Sequence, residues 1–134
     1  MPSLSSYDVG KKSFEGRRYK DDVAAVFDGM ERLFAPLLAY NARAKKNKEK
    51  RYSPELHLTL GNHEHRIERA VENDAKLEGV LSVADLGYDI FGWTVHPFLD
   101  VVILDGIAYS HYFTSGVLGR PVPNARQLVM KKLS

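Results

Sequence analysis

Three stretches predict an α/β fold with a mixed sheet, a β-hairpin and flanking helices. From Arg17 to Lys48, apolar residues at Val23, Val26, Phe27, Met30, Leu33, Phe34, Leu37 and Leu38 recur at spacings of three and four, the signature of one face of a helix. Leu56, Leu58 and Leu60 alternate with His57, Thr59 and Gly61, which is the period of a strand with one apolar face. Val101 to Leu104 and Ile107 to Tyr112 flank the pair Asp105-Gly106, whose residues suit the positive φ angles of a tight hairpin.

Length and composition set the frame for these elements. At 134 residues the chain reads as a single domain over 1–134, large enough to bury a core. Its hydrophobic content of 44% and charged content of 27% are those of an ordinary soluble globular protein. The absence of cysteine excludes disulfides and thiolate metal sites. No window reaches the roughly 18 apolar residues of a membrane span, and no basic-then-apolar leader is present, so a cytoplasmic location without membrane contact is expected. A net charge of +2 is too small for nucleic-acid binding by bulk charge.

Taken in order, Met1 to Gly16 is rich in Ser and Gly, has no sustained period and reads as a loop or extended lead-in. The long helix follows, with Pro36 inside it, where a kink or break is expected because proline lacks an N–H and crowds the preceding turn. Its end is basic, from Arg43 to Arg51. The simplest reading is a solvated helix end whose cations complement the negative pole of the helix. A phosphate-backbone contact is the alternative, and it requires a groove beside the charges.

After Tyr52-Ser53-Pro54 comes the strand, and Gly61 allows a turn into a second helix expected from about Glu64 to Gly79. Leu81 to Gly92 reads as a short helix and then a loop, broken by Asp85, Gly87 and Gly92. Trp93, Val95 and Phe98 suggest a short strand before the hairpin, limited by Pro97. Thr114 to Pro123 is expected to be irregular, and Asn124 to cap a last helix over Ala125 to Lys132.

Chemistry concentrates where the first strand hands over to the second helix. Asn62, His63, Glu64 and His65 stand together at the carboxyl end of a strand, the place where open α/β sheets usually hold ligands. Imidazoles there can bind metal or move protons near neutral pH. The spacing is not that of zincins, whose two histidines share a helical face. Neither a Gly-rich phosphate loop nor a serine nucleophile elbow occurs. His111 stands at another strand end, and with Asn62 and His63 it suggests a shared site. His57 is expected to be solvent-facing or covered by helices, and His96 to lie in a loop.

These residues carry a family resemblance. Leu58-Thr59-Leu60-Gly61-Asn62-His63-Glu64 resembles the GNH[DE] block of the calcineurin-like metallophosphoesterase superfamily, and Ala108-Tyr109-Ser110-His111-Tyr112 resembles that family's later strand-end metal histidine. The SLSSYD and EGRRYKDD stretches are similar to phage-type members. The resemblance implies hydrolysis of a phosphomonoester or phosphodiester at a two-metal centre of Mn, Zn, Fe or Mg, in the host cytoplasm if phage-encoded. Asn62 and His111 would ligate one ion, and His63 would stabilise the transferring phosphoryl group or protonate the leaving oxygen. Charge and position suggest Arg66 and Arg120 as further phosphate contacts.

The family's DxH, GDxxD and GHxH blocks have no counterpart in the 134 residues. The resemblance therefore implies the middle portion of the domain, a partial sandwich from a truncated, split or decayed gene. A complete two-metal site is not expected, and the chain is expected to be inactive alone. The alternative function is a catalytically inactive binding or structural module that contacts nucleic acid through residues 43–51. An exposed sheet edge would also invite homo-oligomerisation.

Overall fold

The computed structural model describes residues 2–5, 18–115 and 119–122. The helix expected over Ala125 to Lys132 lies outside the described residues, as does most of the expected lead-in. What is described of that lead-in is a 3-10 turn, Pro2–Leu4, and the Ser5 beyond it. Ser3 holds this turn on the first helix, donating from its N–H (2.9 Å) and its hydroxyl (2.6 Å) to Asp22 Oδ2.

Helix α1, Tyr19–Lys46, runs 28 residues, about 42 Å at 1.5 Å per residue. Tyr19, Asp22, Val23, Val26, Phe27, Met30, Phe34, Leu37, Asn41 and Ala44 form one sheltered stripe at helical spacing. Leu33 and Leu38 lie off that stripe, 58% and 64% exposed, and take no part in the core expected of them. Pro36 does not break the helix. It is on the exposed side, where water can satisfy the Arg32 carbonyl that a proline leaves without a donor.

The helix ends in a fold-back. Glu49 N–H reaches Ala44 O (2.8 Å) and Lys48 N–H reaches Lys45 O (3.2 Å), a Schellman pattern that places Lys48 at φ 59°. Asn41 then secures the returning chain through both atoms of its amide. Its Oδ1 accepts from Tyr52 N–H and its Nδ2 donates to Tyr52 O, each at 2.8 Å.

Strand β1, His57–Thr59, pairs in parallel with β2, Thr94–His96, so that Leu58 stands opposite Val95. The connection between them carries helix α2, His65–Asn73, and two 3-10 turns, Ala75–Leu77 and Val83–Leu86. α2 is shorter than its apolar period suggests. Asp74 adopts an extended backbone and its Oδ1 accepts from Lys76 N–H (3.1 Å), a local bond that competes with the helix. Residues 83–86 begin in a capping box in which Ser82 Oγ accepts from Ala84 N–H and Asp85 Oδ2 accepts from Ser82 N–H. Tyr19 Oη donates to the same turn at Ser82 O and Asp85 Oδ2, joining it to α1.

Between these elements sits a small core of Leu60, Ile67, Leu86 and Tyr88, with Val23, Val26, Met30, Leu58 and Phe98 against it. Ile67 and Leu86 are almost wholly removed from water, worth about 1.5–3 kcal/mol each. An aromatic row extends the contact along α1: Phe34 stacks on Phe91 at 5.9 Å and meets Trp93 edge-on at 5.7 Å.

Strands β3, Val102–Leu104, and β4, Ile107–Tyr109, form the expected hairpin around Asp105 (φ 51°) and Gly106 (φ 77°). β4 stops at Tyr109, which leaves His111 in a bend beyond the strand. In place of a wholly irregular loop, β5, Thr114–Ser115, pairs antiparallel with β6, Arg120–Pro121. The chain thus mixes helix with parallel and antiparallel strand pairs, arranged among the described residues as three two-stranded ladders. No helix of the described residues is long and apolar enough to cross a membrane.

Candidate functional site

The corner between β1 and α2 is built by Gly61 and Glu64. Glu64 reaches back three residues, its Oε2 accepting from Gly61 N–H at 2.9 Å, while His65 N–H bonds Gly61 O at 3.1 Å. This is the reach-back half of a capping box, and it turns Asn62 and His63 outward at the strand end. Both are exposed. Tyr88 Oη donates to Glu64 Oε1 at 3.4 Å. Burial and the Glu64 carboxylate push the Tyr88 phenol up to about 12, so it remains a donor over the neutral range.

His111 comes to this corner from beyond the hairpin. A Cβ on Gly61 would lie 3.1 Å from His111 Cε1 and 3.2 Å from its Nδ1. The two separated pieces of sequence, Gly61-Asn62-His63 and His111, therefore stand side by side. Phe98 bridges the start of α2 to the segment that carries His111. Its ring stacks on His65 at 4.6 Å and lies 5.7 Å from His111 and 5.9 Å from Tyr112. No polar signal marks Phe98 in the sequence, where it reads only as a strand residue after Pro97.

His63 is the member whose protonation is perturbed. Partial desolvation, the Arg66 guanidinium and His111 lower its pKa from the ordinary 6.5, and Glu64 opposes them. The neutral ring therefore predominates at neutral pH. Arg66 thus acts electrostatically on the corner. Arg120 stands apart on β6, exposed, and no contact joins it to the corner among the described residues. His65 is engaged with Glu68, Nδ1 to Oε2 at 2.7 Å, and against Phe98, which makes it a structural member.

A second histidine pair went unread in the sequence. His96 is on β2 and not in a loop, and its Nε2 lies 3.0 Å from His57 Nδ1 across the parallel ladder. The ring centroids are 5.3 Å apart and the planes 17° apart. Those values describe nearly coplanar rings meeting edge to edge, the geometry of an in-line N–H···N bond in which one ring donates and the other accepts. His57 opens β1 and His96 closes β2, two positions apart in the parallel register and 39 residues apart in sequence, so no local pattern marks them and only the strand register reveals them.

Among the described residues, the corner by itself does not complete a metal centre. No group of three or more His, Cys, Asp or Glu able to hold an ion occurs among the described residues. Asn62 and His111 offer an amide oxygen and an imidazole nitrogen, and the adjoining carboxylate, Glu64, is turned inward onto Gly61 N–H and Tyr88. A pair of divalent cations needs carboxylates that this set does not provide. Comparison of the chain with protein-family models, with curated proteins and with solved structures finds no match.

Proposed function

We propose that the chain carries one corner of a metal-dependent phosphoesterase site, within part of a metallophosphoesterase-type sandwich. The observation that supports this reading most is the approach of His111 to Gly61, which joins the two stretches that resemble that family. Asn62 and His111 would hold one divalent ion, Mn, Zn, Fe or Mg, whose chemistry is to polarise a phosphoryl oxygen. The remaining ligands, carboxylates above all, would come from outside this corner.

His63 fits the substrate side of such a site. Its exposed, mostly neutral ring would gain a proton when a phosphate anion settles beside it, because an opposite charge favours the charged form. It would then stand next to the oxygen that carries the developing charge. The edges of the β3–β4 hairpin, unpaired among the described residues, would accept the further strands of the sandwich or a second copy.

Titration with Mn²⁺, followed by paramagnetic broadening of side-chain resonances, tests the assignment. Broadening centred on Asn62 and His111, lost in Asn62→Ala and in His111→Ala, is expected, with little turnover of an aryl phosphate by the chain alone. Broadening indifferent to both substitutions overturns the proposed ligands. Robust turnover abolished by His63→Ala would mean that the ligand set is fuller than this corner.

A further inference from the structure

The basic end of α1 has a groove beside it. Arg43, Lys45, Lys46, Lys48, Lys50 and Arg51 are all exposed, and none of them is paired by an acid across an ion-pair distance among the described residues. The fold-back at Lys48 returns the chain antiparallel to the helix end, and Asn41 fixes the return at Tyr52. Asn41, Arg51, Tyr52 and Ser53 line an open groove of about 410 Å³. Lys45 is one turn from Asn41 on α1, so a cation flanks the groove on the helix as Arg51 does on the returning segment.

One wall of this groove is aromatic. Tyr52 is 60% exposed although its backbone is held at both N–H and C=O. An aromatic side chain left in solvent on a fixed backbone can serve as a stacking platform, and cations around such a platform match a phosphodiester chain with unpaired bases. A duplex presents phosphates but no open base face, so Tyr52 distinguishes the two.

We propose that this groove binds single-stranded nucleic acid, with Tyr52 stacking on a base and Lys45, Lys50 and Arg51 contacting phosphates. The site is separate from the Asn62 corner and does not depend on the hydrolytic reading.

The test is fluorescence anisotropy of the full chain with a labelled twenty-nucleotide oligothymidylate, in EDTA so that hydrolysis cannot contribute. Affinity is expected to fall steeply with salt, and the salt slope to drop by about 0.7 for each cation removed in Lys45→Gln, Lys50→Gln and Arg51→Gln. Tyr52→Ala is expected to weaken binding about fivefold or more with the slope unchanged, and Tyr52→Phe to restore it. A duplex of the same length is expected to compete poorly. Equal affinity for duplex and single strand, or full affinity in Tyr52→Ala, overturns the proposal in favour of unspecific charge attraction. Circular dichroism of each variant confirms that the loss is not one of folding.

Discussion

His111 lies so near Gly61 that the glycine's missing side chain is what admits the ring. A Cβ there would meet His111 at 3.1 Å and Glu64 Oε2 at 3.0 Å. Gly61→Ala is therefore expected to displace His111, an exposed ring with room to swing, and to loosen the Glu64 bond to the backbone. The stability cost is expected to be roughly 1 kcal/mol, that of one weakened hydrogen bond, while the chemical shifts of His63 and His111 change strongly. Gly87 is the contrast. At φ 61° a Cβ would collide with the ring of Phe27, itself packed against Phe91, and neither can yield cheaply. Gly87→Ala is expected to cost about 2–4 kcal/mol by thermal or urea unfolding.

The perturbed histidine gives a pH signature. Because the folded protein lowers the His63 value from 6.5, it favours the neutral ring. That contribution to stability is fully present above 6.5 and is lost as pH falls through the lower folded value. An NMR titration should place the His63 midpoint below 6.5. Arg66→Ala should raise it by removing a neighbouring positive charge, and a midpoint at or above 6.5 in the parent chain would contradict the described surroundings of the ring.

Much of the fold was legible where local pattern and tertiary demand agree. The period of α1, the alternation ending at Leu60 and the Asp105-Gly106 turn each state one preference, and the structure follows it. Apolar spacing failed where a short-range polar bond competes, as Asp74 does in ending α2. It failed again at Leu33 and Leu38, which continue the apolar run beyond the width of the stripe that the core can cover. At the corner, Asn62 and His63 announce themselves, while the contribution of Phe98 is apolar and non-local and leaves no trace in its neighbours.

The His57–His96 bond ties two strands that are 39 residues apart in sequence, and its strength can be isolated. A double-mutant cycle with His57→Ala and His96→Ala is expected to give a coupling of about 0.5–1.5 kcal/mol in urea unfolding at pH 8. Additive single effects would show that the rings are neighbours without a bond.

Lys48 occupies a left-handed position that glycine adopts without strain. Lys48→Gly is expected to stabilise the chain by about 0.5–1 kcal/mol, a rise in the thermal midpoint, because the Schellman bonds already exist and only the Cβ penalty is relieved. A fall in the midpoint would mean that the lysine side chain contributes more than its backbone costs.

The grip of Asn41 on Tyr52 reaches only the main chain. Residue 52 is thereby relieved of structural duty: any side chain there except proline, which lacks the N–H, leaves both bonds intact, whereas position 41 needs an amide with an oxygen and a nitrogen to spare. The two positions are thus under different constraints. Substitution at 41 is answerable to folding, and the choice of side chain at 52 is answerable to whatever the protein meets in solution.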